Sequence, residues 1–327
     1  MVSRRPPPSK RAFPASSIGI SPISTSDQPA RGRQLVIGNL VTPLGVFLWA
    51  TSFPTTALLL ENWHPVPLAA TRMAIGGTTL MILVLVSGRA RELQWVNWRD
   101  AFFFGGVILA VSTTLLVTAQ DYADPVSIAI ISSGIPVVSL FIGYLMGSEG
   151  LSARKIIAIA FAVAGGITAA MAGITEPGEF RGGEIIILGS LVLFTVFTRN
   201  TVGRFHNVSD LTKGAATTGA AGLTMSVVIG GIWASGLVDF RYDLNGRDLA
   251  LMTWNGSISA GVSMVLWFYG GRLLSVTIAA LHQNAAPFHV MLVMFLLGGG
   301  FLFDRLIAAA LVIFGVILAQ WPTRPRG

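Results

Sequence analysis

Residues 275–300 read "SVTIAALHQNAAPFHVMLVMFLLGGG". The run is long and apolar enough to cross about 30 Å of hydrocarbon as one helix, yet it carries His282, Gln283 and Asn284 side by side, with Pro287 just after. A bare amide in hydrocarbon is costly without partners, so polar residues at that depth need a reason. The rest of the chain identifies the solvent. Hydrophobic residues make up 53% of the 327 and charged ones 11%, with a mean hydropathy of +0.69, whereas a soluble domain carries about 25% charged residues. The expectation is an all-α polytopic membrane protein.

Apolar runs, read against Gly, Pro and charge punctuation, predict ten transmembrane helices. They fall near 36–60, 66–88, 99–121, 125–146, 154–173, 183–203, 210–236, 248–270, 274–300 and 304–321. With the N-terminus in the cytoplasm, 17 basic and five acidic residues fall on the cytoplasmic side, four basic and ten acidic ones on the other, and Arg72 is left inside a span. Basic residues in short loops prefer the cytoplasm. Both termini are therefore expected inside, in a multi-pass protein of the cytoplasmic (inner) membrane. The pI near 10.5 is then mostly topology, with attraction to anionic lipid as a weaker reading and no nucleic-acid partner implied.

Residues 1–33 are rich in Pro, Ser and Arg without an apolar run, which predicts a disordered basic tail. Arg4 and Arg5 lack a following apolar segment, so no signal peptide is read. Cysteine is absent, which excludes disulfides, thiolate metal sites and a Cys nucleophile. No Walker motif is present, so ATP is not the driving force, and no cofactor is implied.

An internal repeat emerges from the opening stretch. "DPVSIAIISSGIP" at 124–136 and "SVTIAALHQNAAP" at 275–287 both run thirteen residues to a proline, and "RDAFFFGG" from Arg99 matches "RDLALMTW" from Arg247 one helix earlier. The offset is about 150 residues, giving repeats over 36–173 and 183–321 with five helices each. Five is odd, so the second half enters the membrane upside down relative to the first. Such inverted repeats build many secondary transporters, with the substrate held near the midplane between them.

"WATSFPTTALLLENWHPVPLAATRMAIGG" followed by "SIAIISSGIPVVSLFIGYLMGSEGLSARKIIAIAFAVAGG" resembles the repeat of the drug/metabolite transporter superfamily, in particular its EamA-type ten-helix members. The matching pieces are Trp49 and Ser52 in the first helix, Arg72 in the second, Ser132, Ser133 and Pro136 in the fourth, and Glu149, Leu151 and Ser152 before the fifth. The resemblance covers roughly 38–320. Two departures stand out: Ser148 replaces the family's usual Gly before that Glu, and the second half has "LGGGFLFD" there, without a Glu. The resemblance implies export of amino acids or related metabolites.

In the thirteen-residue alignment His282, Gln283 and Asn284 stand opposite Ile131, Ser132 and Ser133, which places polar pairs at related depths in the two halves. A helix turns about 100° per residue, so three adjacent side chains cannot all face one cavity; two are expected at the centre and the third on a neighbouring helix. Pro287 and Pro136 leave the carbonyls of Gln283 and Ser132 without their helical partners, which is tolerated only against protein or a wet cavity. Trp49, Trp254, Trp267 and Tyr269 are expected as flat walls of a substrate site. Helix-to-helix glue is the competing reading for all these polar residues. His282 is either a proton relay or a satisfied buried histidine. A metal shared with His289 is not expected, because seven residues span about 10 Å. Arg72 either snorkels to water or turns inward to hold an anionic group. Lys213 is expected at the cytoplasmic surface.

The resulting expectation is a secondary transporter, monomeric and without metal or cofactor, working by alternating access on a small-molecule substrate. Amino acids come first, with a lean to aromatic or bulky apolar ones. Nucleosides, sugars or cationic drugs moved by proton antiport are the alternative. Pro54, Pro136 and Pro287 are the expected hinges. A membrane enzyme has only His282 with Ser132 to offer, and a channel would need a continuous polar stripe.

Overall fold

A computed structural model of the chain describes residues 28–145, 152–172, 181–274, 279, 282–300 and 303–320. The expected tail up to residue 27, the turn that holds Ser148, Glu149 and Leu151, and residues 275–278 of the repeated stretch lie outside the described residues. Those described are helices joined by short turns, with no strand among them. In order they are α1 (Gln28–Ala50), α2 (Ser52–Leu60), α3 (Pro65–Val86) and α4 (Trp98–Tyr122). There follow α5 (Pro125–Ser132), α6 (Ile135–Leu145), α7 (Ala153–Ala172), α8 (Gly183–Arg204) and α9 (Asp210–Ala234). The chain closes with α10 (Gly246–Leu274), a short 3-10 turn (Gln283–Ala285), α11 (Ala286–Leu296) and α12 (Phe303–Gln320).

Six of these helical stretches are long and apolar enough to cross a membrane, counting Gly32–Leu60 as one, and α5 with α6 makes a seventh if the pair is a single span bent by 44°. Gln283–Leu296 and Arg305–Leu318 are shorter apolar helices. The chain is a multi-pass membrane protein. Residues 28–33, expected in the disordered tail, lie in α1, which begins at Gln28. Pro29 in its first turn forfeits only an N–H that would have had no helical partner.

The helix expected over 36–60 is interrupted at Thr51, where Pro54 cannot donate to the carbonyl of Ala50. Each of the three expected hinge prolines sits in the first turn after such an interruption: Pro54 in α2, Pro136 in α6 and Pro287 in α11.

The packing repeats itself. The most extensive contacts join α3 to α9, α7 to α12, α1 to α10 and α8 to α4, and α4 also packs on α9 as α10 does on α3. Replacing each helix by its counterpart in the other half returns the same set. The mirroring reaches single residues. A Cβ on Gly165 of α7 would lie 2.8 Å from Val312 N and 2.9 Å from Ala308 O, while one on Gly315 of α12 would lie 2.9 Å from Ala162 N and 2.6 Å from Ala158 O. Each residue of the second set stands 150 positions from its counterpart in the first. Only glycine lets these backbones approach so closely. A nine-residue π-helical stretch recurs as well, at Ala101–Leu109 in α4 and Trp254–Val262 in α10.

Polar contacts join the halves at both ends of the bundle. At one end Glu92, on the turn after α3, takes N–H from Ser209 at 2.8 Å and O–H from Thr212 at 2.7 Å, and pairs with Arg89 at 2.9 Å. Partial burial pushes its carboxyl up, but these hydrogen bonds outweigh burial and hold it at about 2. At the other end Arg305 Nη1 meets Asp124 Oδ2 at 2.7 Å and also donates to Ser127 Oγ. Arg241 Nη2 there donates to Leu60 O at 2.8 Å, and Asn62 Nδ2 to Asp248 Oδ2 at 3.0 Å.

Candidate functional site

Between the two sets of helices lies a cavity of about 80 Å³. Its lining follows the same mirror relation. Gly45 and Trp49 of α1 line it together with Ser190 and Phe194 of α8, 145 positions later. Ser112 and Leu116 of α4 line it with Ser263 and Trp267 of α10, and Ser132 with Gln283, each 151 positions apart. Arg72 breaks the symmetry: the residue 145 positions on is Thr217, fully buried and hydrogen-bonded to Lys213 O at 2.9 Å. Among the described residues, the one charged side chain on the cavity wall therefore belongs to the first half alone.

Arg72 is 3% exposed, and its Nε and Nη1 are buried without a hydrogen-bond partner. The snorkelling alternative is not what the side chain adopts: seven residues after Pro65 it turns inward onto the cavity. Across the same space the Ser132 hydroxyl and Gln283 Oε1 are also buried without partners. Groups of this kind cost about 1–3 kcal/mol each when unmet, so the cavity presents unused donors from α3 opposite unused acceptors from the two interrupted helices. Ser112 and Ser190 satisfy one another, Ser112 Oγ donating to Ser190 O at 3.0 Å and Ser190 Oγ to Ser112 O at 2.8 Å.

The other expected site residues lie elsewhere. Ser133 Oγ donates to Ile130 O at 2.7 Å within its own helix. Asn284 is buried, with Oδ1 unpartnered, but is not on the cavity wall. His282 Nε2 lies 3.2 Å from Asn39 Oδ1 on an exposed face, while the Ser132 hydroxyl is buried without a hydrogen-bond partner, so the two side chains are not bonded to one another. Trp254 is exposed and donates from Nε1 to Thr51 Oγ1 at 2.9 Å. Tyr269 lies under the Arg272 guanidinium, 4.9 Å from its ring centre. Of the four aromatic walls anticipated, Trp49 and Trp267 face the cavity, and Phe194 joins them. The serines at 112, 190, 259 and 263 were not anticipated; Ser112 and Ser263 were legible through the repeat, since they align with one another.

Trp267 also borders a second, larger cavity of about 530 Å³ at the end of the bundle that carries Arg89 and Ser209. Lys213, expected at the surface, is instead 7% exposed. Its ammonium pairs with Asp210 at 3.1 Å and is covered by the Phe268 ring at 4.9 Å, while Arg272 Nε meets the second Asp210 oxygen at 2.7 Å.

Residues 36–171 match the family model described as the EamA-like transporter family. No curated protein matches the chain. A solved structure titled "Crystal structure of protein" is similar over 88% of this chain and 96% of its own, with 18% identity and a TM-score of 0.61; at that identity the likeness speaks for the fold alone. Across residues 36–171, which hold α3 to α7 and most of the first span, the chain is similar to the EamA-like transporter family.

Proposed function

We propose that this chain is a secondary transporter of small metabolites, amino acids first among them, that alternates access to the cavity between two inverted five-helix halves. In this reading ten helices cross the cytoplasmic membrane, with both termini in the cytoplasm. The mirrored helix pairings and mirrored glycine contacts support the two-half construction. The observation that carries the substrate reading is the division of the cavity's unmet groups. Arg72 offers N–H to a carboxylate, and Ser132 with Gln283 Oε1 offers acceptors to an ammonium, which is the polarity of an α-amino acid. Trp49, Phe194 and Trp267 supply apolar wall and favour aromatic or bulky side chains.

The cavity holds two or three waters at about 30 Å³ each and is too small for an amino acid as it stands, so binding requires the halves to part. The three interrupted helices and their first-turn prolines are where they bend. Counterflow of labelled amino acids in proteoliposomes tests the reading. The native protein should exchange at least one amino acid without an imposed proton gradient. Arg72→Gln and Gln283→Ala should each lower exchange about tenfold or more, the loss of one hydrogen bond to a charged group. Exchange that survives both substitutions would move the site elsewhere, and a panel in which nothing moves would rule out amino acids.

A further inference from the structure

We infer that the larger cavity bordered by Trp267 is a second binding site, specific for a small carboxylate monoanion. Among its described lining residues the charged groups are Arg89, Asp210, Lys213 and Arg272. Arg89 is neutralised by Glu92 at 2.9 Å. Asp210 serves two cations at once, Lys213 through Oδ1 and Arg272 through Oδ2, so the cluster is one negative charge short of neutrality. Lys213 is nine-tenths buried while the Arg272 side chain is 61% exposed, and a buried ammonium that shares its one carboxylate with a second cation gains from an anion in the same space. It has three donors, one of which meets Asp210. The Arg272 guanidinium commits Nε to Asp210 and keeps its planar terminal fork, the shape that matches a carboxylate.

Volume agrees with charge. About 530 Å³ holds a small organic acid with room to spare, against about 80 Å³ in the central cavity. Position gives the site a role. Trp267 borders both spaces, so an anion held by Lys213 and Arg272 waits one side chain away from the compartment that contains Arg72. The pocket is separate from the central cavity, and its occupancy can be measured whether or not the chain moves amino acids. An anionic lipid head group presents related chemistry; the free carboxylate is favoured because a single missing charge calls for a monoanion that fits wholly inside the cavity.

The absence of cysteine makes the test direct. Thr198, on the cavity wall, is replaced by Cys in the full chain, reconstituted in nanodiscs of zwitterionic lipid. Its modification by neutral N-ethylmaleimide is timed as acetate replaces chloride at constant ionic strength. Acetate should slow the reaction saturably, and methylammonium should not. Lys213→Gln should weaken the acetate effect about tenfold or more, and Lys213→Arg should retain it. Arg272→Gln is read in the same way, so a Lys213→Gln protein that fails to fold still leaves a decisive variant. Protection that is absent with Lys213 and Arg272 in place, or unchanged in the Gln variants, overturns the proposal. So does protection by discs containing phosphatidylglycerol in which acetate adds nothing, which would assign the charge to a lipid head group.

Discussion

Replacing Arg72 by methionine separates the two uses a buried arginine can have. The side chain is 3% exposed, lies in a span, and leaves Nε and Nη1 without partners. Each unmet group costs about 1–3 kcal/mol, and exchanging a buried charge for an apolar residue of similar length often stabilises a protein by about 1–4 kcal/mol. No ion pair is broken among the described residues, since Arg72 belongs to none. The expected result of Arg72→Met is a gain of roughly 1–4 kcal/mol, which at roughly 2 °C per kcal/mol raises the unfolding midpoint by about 2–8 °C. Exchange of substrate should be lost in the same protein. Unfolding in detergent, followed by tryptophan fluorescence, gives the first quantity and counterflow gives the second. A midpoint that falls by several degrees while exchange persists would make Arg72 a structural anchor and refute the assignment of its free N–H groups to substrate.

Three further outcomes follow from the packing and the charges. Gly165→Ala and Gly315→Ala each push a methyl against opposing backbone and should cost similar amounts, about 1–3 kcal/mol; a thermal melt in which only one matters would break the mirror relation. Asp124→Asn removes one partner of a side chain 8% exposed at Arg305 and should cost about 1–3 kcal/mol, with Asp124→Ala losing about 1 kcal/mol more because Oδ1 also caps Val126 and Ser127. Glu92, held at about 2 instead of the usual 4.5, stabilises the fold fully above about pH 4.5 and loses that contribution as pH falls towards 2. Glu92→Gln should therefore narrow its deficit against the native protein over that window, measured as unfolding midpoints from pH 5 to 3; a deficit constant with pH would contradict the hydrogen bonds described.

The helices were legible because hydropathy and proline punctuation act locally, and every expected stretch contains helical residues. The side-chain directions were less so, although part of the answer was available. Trp254 and Trp267 are thirteen positions apart, about 220° round an ideal helix, so one of them had to face away from any shared cavity; Tyr269 lies about 200° from Trp267 on the same count. His282, Gln283 and Asn284 fan out as expected, with Gln283 on the cavity and His282 on Asn39, but which of the three points inward depends on the 3-10 turn Gln283–Ala285. The serine positions carried almost no hydropathy signal. The burial of Lys213 depended on Asp210 and Arg272 converging from two helices, which no local pattern reports.

The mirrored packing also has a consequence for how the chain is made. The principal partners of α1, α3, α4 and α7 all lie beyond residue 183. At about 5–20 residues per second, translation needs roughly 7–30 s to pass from the end of α7 to the end of α12. For that interval the helices up to α7 are inserted without the surfaces they are shaped to meet. Gly77 and Gly165 then face lipid in place of the opposing backbone, and Arg72 sits in a wall with no second side.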